Sequence, residues 1–160
     1  MSRIDDMIKE NLLEDGTILN LREKYIGLRG TLELFSKDEV LQKVKVLTYS
    51  GNQAGDEGVE AIAECPYLKN LENLILNHNE IGDEGAVILA NTTNLPKLTS
   101  LSLFGNVIGD EGAKAFAASP QSKKLIKLDL YKNQFTQVGI KALTESPNLK
   151  NCEELEIYRE

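Results

Sequence analysis

Apolar positions return along this chain with a fixed rhythm. Asn52, Asn79, Asn106 and Asn133 recur every 27 residues, and five residues before each stands Leu47, Leu74, Leu101 or Leu128. Three residues before each asparagine stands Tyr49, Leu76, Leu103 or Leu130. Leu71, Leu98 and Leu125 precede the first of those leucines by three, with Val44 and Cys152 in the same place of the flanking units. The unit reads L-x-x-L-x-L-x-x-N. Alternating leucines predict a short strand with one buried face, and a fixed period of this size predicts stacked copies of one unit.

The second half of the unit also repeats. Gly55-Asp56-Glu57-Gly58, Gly82-Asp83-Glu84-Gly85 and Gly109-Asp110-Glu111-Gly112 are identical. Apolar residues follow each at helical spacing: Val59, Ile62 and Ala63, then Ala86, Leu89 and Ala90, then Ala113, Phe116 and Ala117. The fourth unit departs, with Thr136-Gln137-Val138-Gly139 before Ile140 and Leu143. Leu19, Leu21, Lys24 and Gly30 fit a degenerate first repeat in which lysine replaces the asparagine, and Leu155-Glu156-Ile157-Tyr158 opens a further strand. Ile4, Met7, Ile8 and Leu12 share one helical face and predict an amphipathic cap, which a stack needs at its exposed end. The expected division is a cap over 1–18, a degenerate repeat over 19–46, four repeats over 47–154 and a terminal strand over 155–160, all in one domain.

Each recurring polar residue has a structural reading. An asparagine side chain both donates and accepts, so at a strand end it satisfies turn amides and carbonyls. The aspartates of Gly-Asp-Glu-Gly suit helix starts, where they accept from unpaired N–H groups and complement the dipole. Their spacing is not that of a calcium loop. Thr136 is the expected cap of the fourth helix, and small Ala63, Ala90 and Ala117 should let helix and strand approach closely.

The L-x-x-L-x-L-x-x-N units resemble the ribonuclease-inhibitor-like class of leucine-rich repeats, as does Ile-Gly-Asp-Glu-Gly-Ala at 81–86 and 108–113. The resemblance spans residues 19 to 160. It implies an α/β fold: a right-handed solenoid with a curved parallel sheet on the concave face and helices on the convex face. It also implies binding to a protein partner. Members of the class include GTPase activators of the Ran type and actin caps of the tropomodulin type, so regulation of a GTPase or of actin by docking is the alternative function.

The net charge is −7, and no basic footprint of the kind that nucleic acid or an anionic membrane demands is visible. The first residues lack the apolar run of an export signal, and no stretch has the length of a membrane span. Cys65 and Cys152 fall three repeats apart, about 15 Å at strand spacing, beyond the roughly 7 Å a disulfide bridges. Both are read as reduced, and the expected setting is cytoplasmic. No phosphate loop, dinucleotide fingerprint or metal-ligand spacing occurs, so neither cofactor nor metal is expected and the chain reads as a binding protein rather than an enzyme.

Function should lie at the x positions of L-x-L-x-x-N, which point to the open sheet face. Those expected to touch a partner are Ile75, Asn77 and His78; Ser102 and Phe104; Asp129, Tyr131 and Lys132; and Glu156, Tyr158 and Arg159. Thr48, Ser50, Gly51 and Gly105 lie in the same columns. Phe104, Tyr131 and Tyr158 fall at one position of successive strands and predict an aromatic stripe about 5 Å in step. His78 is the only histidine, and Gly51 and Gly105 on either side leave it room; Ser50 and Ser102 are the hydroxyls nearest to it in this register. An unpaired strand at 155–158 would also invite a second copy to pair with it.

Overall fold

The computed structural model describes residues 2–36 and 38–158. Seven strands form one sheet in sequence order: β1 (Leu12–Leu13), β2 (Ile18–Asn20), β3 (Val46–Thr48), β4 (Asn73–Ile75), β5 (Ser100–Ser102), β6 (Lys127–Asp129) and β7 (Glu154–Glu156). From β2 onward every pair is parallel. Leu19, Leu47, Leu74, Leu101, Leu128 and Leu155 stand in one register row. The first five of these leucines are fully buried, as are Leu21, Tyr49, Leu76, Leu103 and Leu130 two residues on. Alternation has placed both leucines of L-x-L inward, as period two requires.

Helices return the chain from each strand to the next: α2 (Gly27–Phe35), α4 (Gly55–Glu64), α5 (Asp83–Asn91), α6 (Asp110–Ala118) and α7 (Gln137–Thr144), with a short α3 (Asp38–Leu41) before β3. Each of the longer helices packs on the next. Their inner faces carry the residues that the spacing predicts, including Ile62, Leu89, Phe116 and Leu143, all buried. The fold is a leucine-rich-repeat solenoid.

The N-terminal end holds more than a cap helix. α1 (Arg3–Asn11) starts on Ser2, whose hydroxyl accepts from the Asp5 amide while the Asp5 carboxylate accepts from the Ser2 amide at 2.8 Å. Ile4 and Ile8 are buried beneath it. β1 then pairs antiparallel with β2 (Leu12↔Leu19, Leu13↔Ile18). The turn between them has Glu14, Asp15 and Gly16 all at positive φ. Leu12 and Leu13 carry no repeat signal, so the hairpin was not legible from periodicity.

Three side-chain ladders tie each unit to its neighbour. The first is the asparagine ladder. Asn106 Nδ2 donates to the carbonyls of Leu76 (3.1 Å) and Leu103 (2.9 Å), and its Oδ1 accepts from the amides of Asn79 (2.9 Å) and Ile81 (3.1 Å). One side chain thus satisfies buried groups in its own turn and in the preceding repeat. Asn52 does the same for Leu21, Tyr49, Lys24 and Ile26.

The second ladder has the aspartates capping helix starts as expected, but on the next helix. Asp56 does not cap its own helix: α4, α5 and α6 have no side-chain cap of their own. Its Oδ1 accepts instead from the amides of Gly82 (2.8 Å) and Gly85 (3.0 Å) at the start of the next helix. Asp83 serves Gly109 and Gly112 in the same way, both at 2.8 Å. Asp110 serves Thr136 and Gly139. A β-carbon at Gly85 would sit 2.6 Å from Asp56 Oδ1, so glycine there makes room for the reach across repeats. Thr136 does cap its own helix, accepting from the Val138 amide (3.2 Å), while its hydroxyl donates to Asp110 (2.8 Å).

The third ladder closes the helix C-termini. The carbonyl of Ala63 accepts from Thr92 Oγ1 (2.8 Å), that of Ala90 from Ser119 Oγ (2.5 Å), and that of Ala117 from Ser146. The repeated alanines therefore do more than permit close packing. Their carbonyls, left without intrahelical partners, are taken up by the next repeat.

Candidate functional site

The outward face of the sheet carries its side chains in columns, because strands in register align equivalent residues. The first column is Thr48, Ile75, Ser102, Asp129 and Glu156, fixed by the strand pairing. The residues two positions on are Ser50, Asn77, Phe104, Tyr131 and Tyr158. A third column, Gly51, His78, Gly105 and Lys132, has positive φ throughout, between 54° and 69°. This left-handed step ends each strand and starts the turn toward the helix.

Aromatic contact runs along this face. The Phe104 and Tyr131 rings lie 5.6 Å apart at 45°, and the Phe104 and His78 rings lie 5.2 Å apart nearly edge to face. Lys132 Nζ stands 5.6 Å from the centre of the Phe104 ring. His78 thus extends the aromatic row toward the N-terminus instead of standing alone. Gly105 makes the contact possible, since a β-carbon there would come within 2.3 Å of His78 Cε1. Phe104 and Tyr131 are half-buried, and Tyr158 is 55% exposed. Arg159 lies outside the described residues.

Not every x position is free. Ser50 is buried, not open to solvent as its place in the pattern suggests. Asn77 Oδ1 accepts from Ser102 Oγ (2.7 Å) and from the Phe104 amide (3.0 Å), so it holds the backbone of the next strand. Asp129 Oδ1 accepts from the Tyr131 amide (3.0 Å). Ile75 and Glu156 are half-buried, while His78 and Lys132 are exposed.

A trough of about 390 Å³ opens on the N-terminal half of the same face, lined by Arg22, Glu23, Thr48, Ile75, His78 and Phe104 among others. Arg22 and Glu23 were missed at the sequence level. The signal was present: counting forward from Leu19-x-Leu21 as from every other repeat lands on them. Arg22 Nε lies 3.3 Å from Glu23 Oε1. A fourth column was also missed. Asn73, Ser100, Lys127 and Glu154 open their strands on the same face, and Lys127 bridges to Glu154 at 3.1 Å.

Ser102 donates to Asn77, and His78 packs against Phe104; among the described residues neither is bonded to the other. Cys65 and Cys152 are free thiols, and burial pushes both up from the ordinary thiol range. Among the described residues no three His, Cys, Asp or Glu side chains converge as metal ligands, and no helix is long and apolar enough to cross a membrane.

The repeat architecture and the register of the sheet are those of a leucine-rich-repeat solenoid. A family model described as Leucine Rich repeat matches residues 67–90 and 94–117. No curated protein sequence matches the chain. Among solved structures, the chain resembles leiomodin-1 actin-binding site 2, with a TM-score of 0.68 at 18% identity, covering 94% of this chain and 90% of that one. It also resembles the tropomodulin C-terminal domain of Caenorhabditis elegans, with a TM-score of 0.67 at 12% identity, covering 94% and 93%. At these identities the likeness bears on the fold alone.

Proposed function

We propose that this chain is a non-enzymatic, cytoplasmic protein-interaction domain of the ribonuclease-inhibitor-like kind, with its partner docked on the concave sheet face. The observation that carries the reading is the continuous ring contact from His78 through Phe104 to Tyr131 on the outward face of the sheet. Rigid aromatic side chains on an open surface are the groups that most often anchor a protein interface. Arg22, Ile75, Asn77, Ser102, Asp129, Lys132, Glu156, Tyr158 and Arg159 complete the contact surface in this reading.

The test is a pull-down with wild type beside the F104A/Y131A/Y158A variant. Loss of the captured protein from a variant that still melts cooperatively supports the concave face. Equal capture by both places the partner elsewhere.

A second reading takes its partner from the name of the leiomodin-1 site that shares this fold, actin-binding site 2. Under it the partner is actin, and the check is co-sedimentation with actin filaments together with the rate of pyrene-actin assembly. A chain that changes neither removes this reading. For self-association through β7, light scattering at micromolar concentration reads the answer directly, and monomer alone excludes it.

A further inference from the structure

We infer that the C-terminal half of the concave face recognises a basic segment of its partner, taking an arginine side chain between Asp129 and Glu156 and the tyrosines that follow them. This rests on the concave-face reading and names the chemistry of the occupant.

Asp129 and Glu156 are register partners on adjacent parallel strands and point to the same open face. Neighbouring strands lie about 4.8 Å apart, and like charges directly opposite each other repel. One column away the fold handles the same proximity differently, pairing Lys127 with Glu154 at 3.1 Å. No such cation meets Asp129 or Glu156 among the described residues. Asp129 accepts from the Tyr131 amide (3.0 Å), a neutral donor, while the Ser102 hydroxyl gives its proton to Asn77. Lys132, three residues after Asp129, places its ammonium over the Phe104 ring. Both carboxylates are half-buried, so water screens them less than it screens a charge on the rim.

Tyr131 and Tyr158 follow two residues later, just past the ends of β6 and β7, with buried Leu130 and Ile157 between, and so lie on the same face as the carboxylates. Anionic oxygens beside aromatic rings suit a guanidinium, which forms a planar fork to carboxylate and stacks on rings. The column loses its charge toward the N-terminus, where Ser102, Ile75 and Thr48 are neutral, so the preference for a cation is local.

The experiment titrates nona-arginine, and nona-glutamate as control, against the full chain at low and physiological salt. Binding is read by tryptophan-free fluorescence anisotropy of a labelled peptide and by amide shifts. Nona-arginine is expected to move the amides of Asp129, Tyr131, Glu156 and Tyr158, and D129N/E156Q to weaken binding at least tenfold. Asn at 129 keeps the acceptor for the Tyr131 amide, so the variant should melt no lower than wild type. E57Q/E84Q removes the same charge from the helix rim and should bind as wild type does. Equal weakening in the two variants, or shifts spread along the rim, would mean nonspecific attraction to an anionic protein and would overturn the inference. So would a pull-down partner lost by F104A/Y131A/Y158A but held undiminished by D129N/E156Q, an outcome that leaves the concave-face reading intact. A partner held by both variants overturns that reading too.

Discussion

Single residues in this solenoid act across repeat boundaries, so their loss is felt in two units at once. Asn106 joins four backbone groups in two repeats. Asn106→Ala should cost at least about 2 kcal/mol, given roughly 1–3 kcal/mol for each buried group left unpaired and some rescue by water. Urea denaturation reads it. Gly105 is sensitive for a different reason: its φ is +68°, and a β-carbon would strike His78. Gly105→Ala should cost about 1–2 kcal/mol from the left-handed conformation, and more from the displaced imidazole. H78A/G105A should recover only the second part, so a urea midpoint for the double variant no higher than that of G105A would show that the ring contact is not a constraint. The rhythm of asparagine and leucine made the first of these residues legible. The column sets Gly105 beside His78 in the sequence, but that the imidazole fills the place of a β-carbon is seen only in the structure.

The elements are stabilised by caps that each borrows from its neighbour. Asp83 serves the start of α6, not of α5, which it begins. Asp83→Ala should therefore cost about 1 kcal/mol, the usual worth of a helix cap, and the exposed neighbour Glu84→Ala within about 0.5 kcal/mol of nothing. Thermal melts of the two separate cap from general acidity. Asp110 adds a pH dependence. Hydrogen bonds from the Thr136 hydroxyl and amide, with a smaller one from Gly139, hold its carboxyl below the ordinary range. A carboxyl depressed in the folded state binds its proton more readily when unfolded. Its contribution is complete above the unfolded value of about 3.9 and is lost as pH falls below it toward the folded value. Asp110→Asn should accordingly show a shallower loss of stability than wild type between neutral pH and pH 3, measured as the shift in urea midpoint. Identical slopes would remove Asp110 from the acid response. The Gly-Asp-Glu-Gly segment marks helix starts in the sequence, but which helix each aspartate serves depends on the offset between adjacent units, and that is a property of the stack.

At the scale of the molecule, each repeat touches only the next, so cohesion should be greatest where neighbours exist on both sides. Amide hydrogen exchange is expected to be slowest in β4 and β5 and to quicken toward the two-residue β1 and toward β7, which bonds only to β6 among the described strands. Uniform protection from end to end would contradict this one-dimensional coupling. The sequence alone determined the period, the strand positions, the inward leucines and the columns of the open face, because each follows from local alternation repeated at constant spacing. It also determined that Phe104, Tyr131 and Tyr158 share a column. Tertiary structure decided what periodicity does not encode: the β1–β2 hairpin over the N-terminal end, the direction in which each aspartate reaches, the burial of Ser50, and the entry of His78 and Lys132 into contact with Phe104. The reason is physical. Repetition specifies which residues are equivalent, whereas contacts between unlike residues in neighbouring repeats depend on side-chain size, on glycine gaps and on the offset of one unit against the next, and these exist only once the units are stacked.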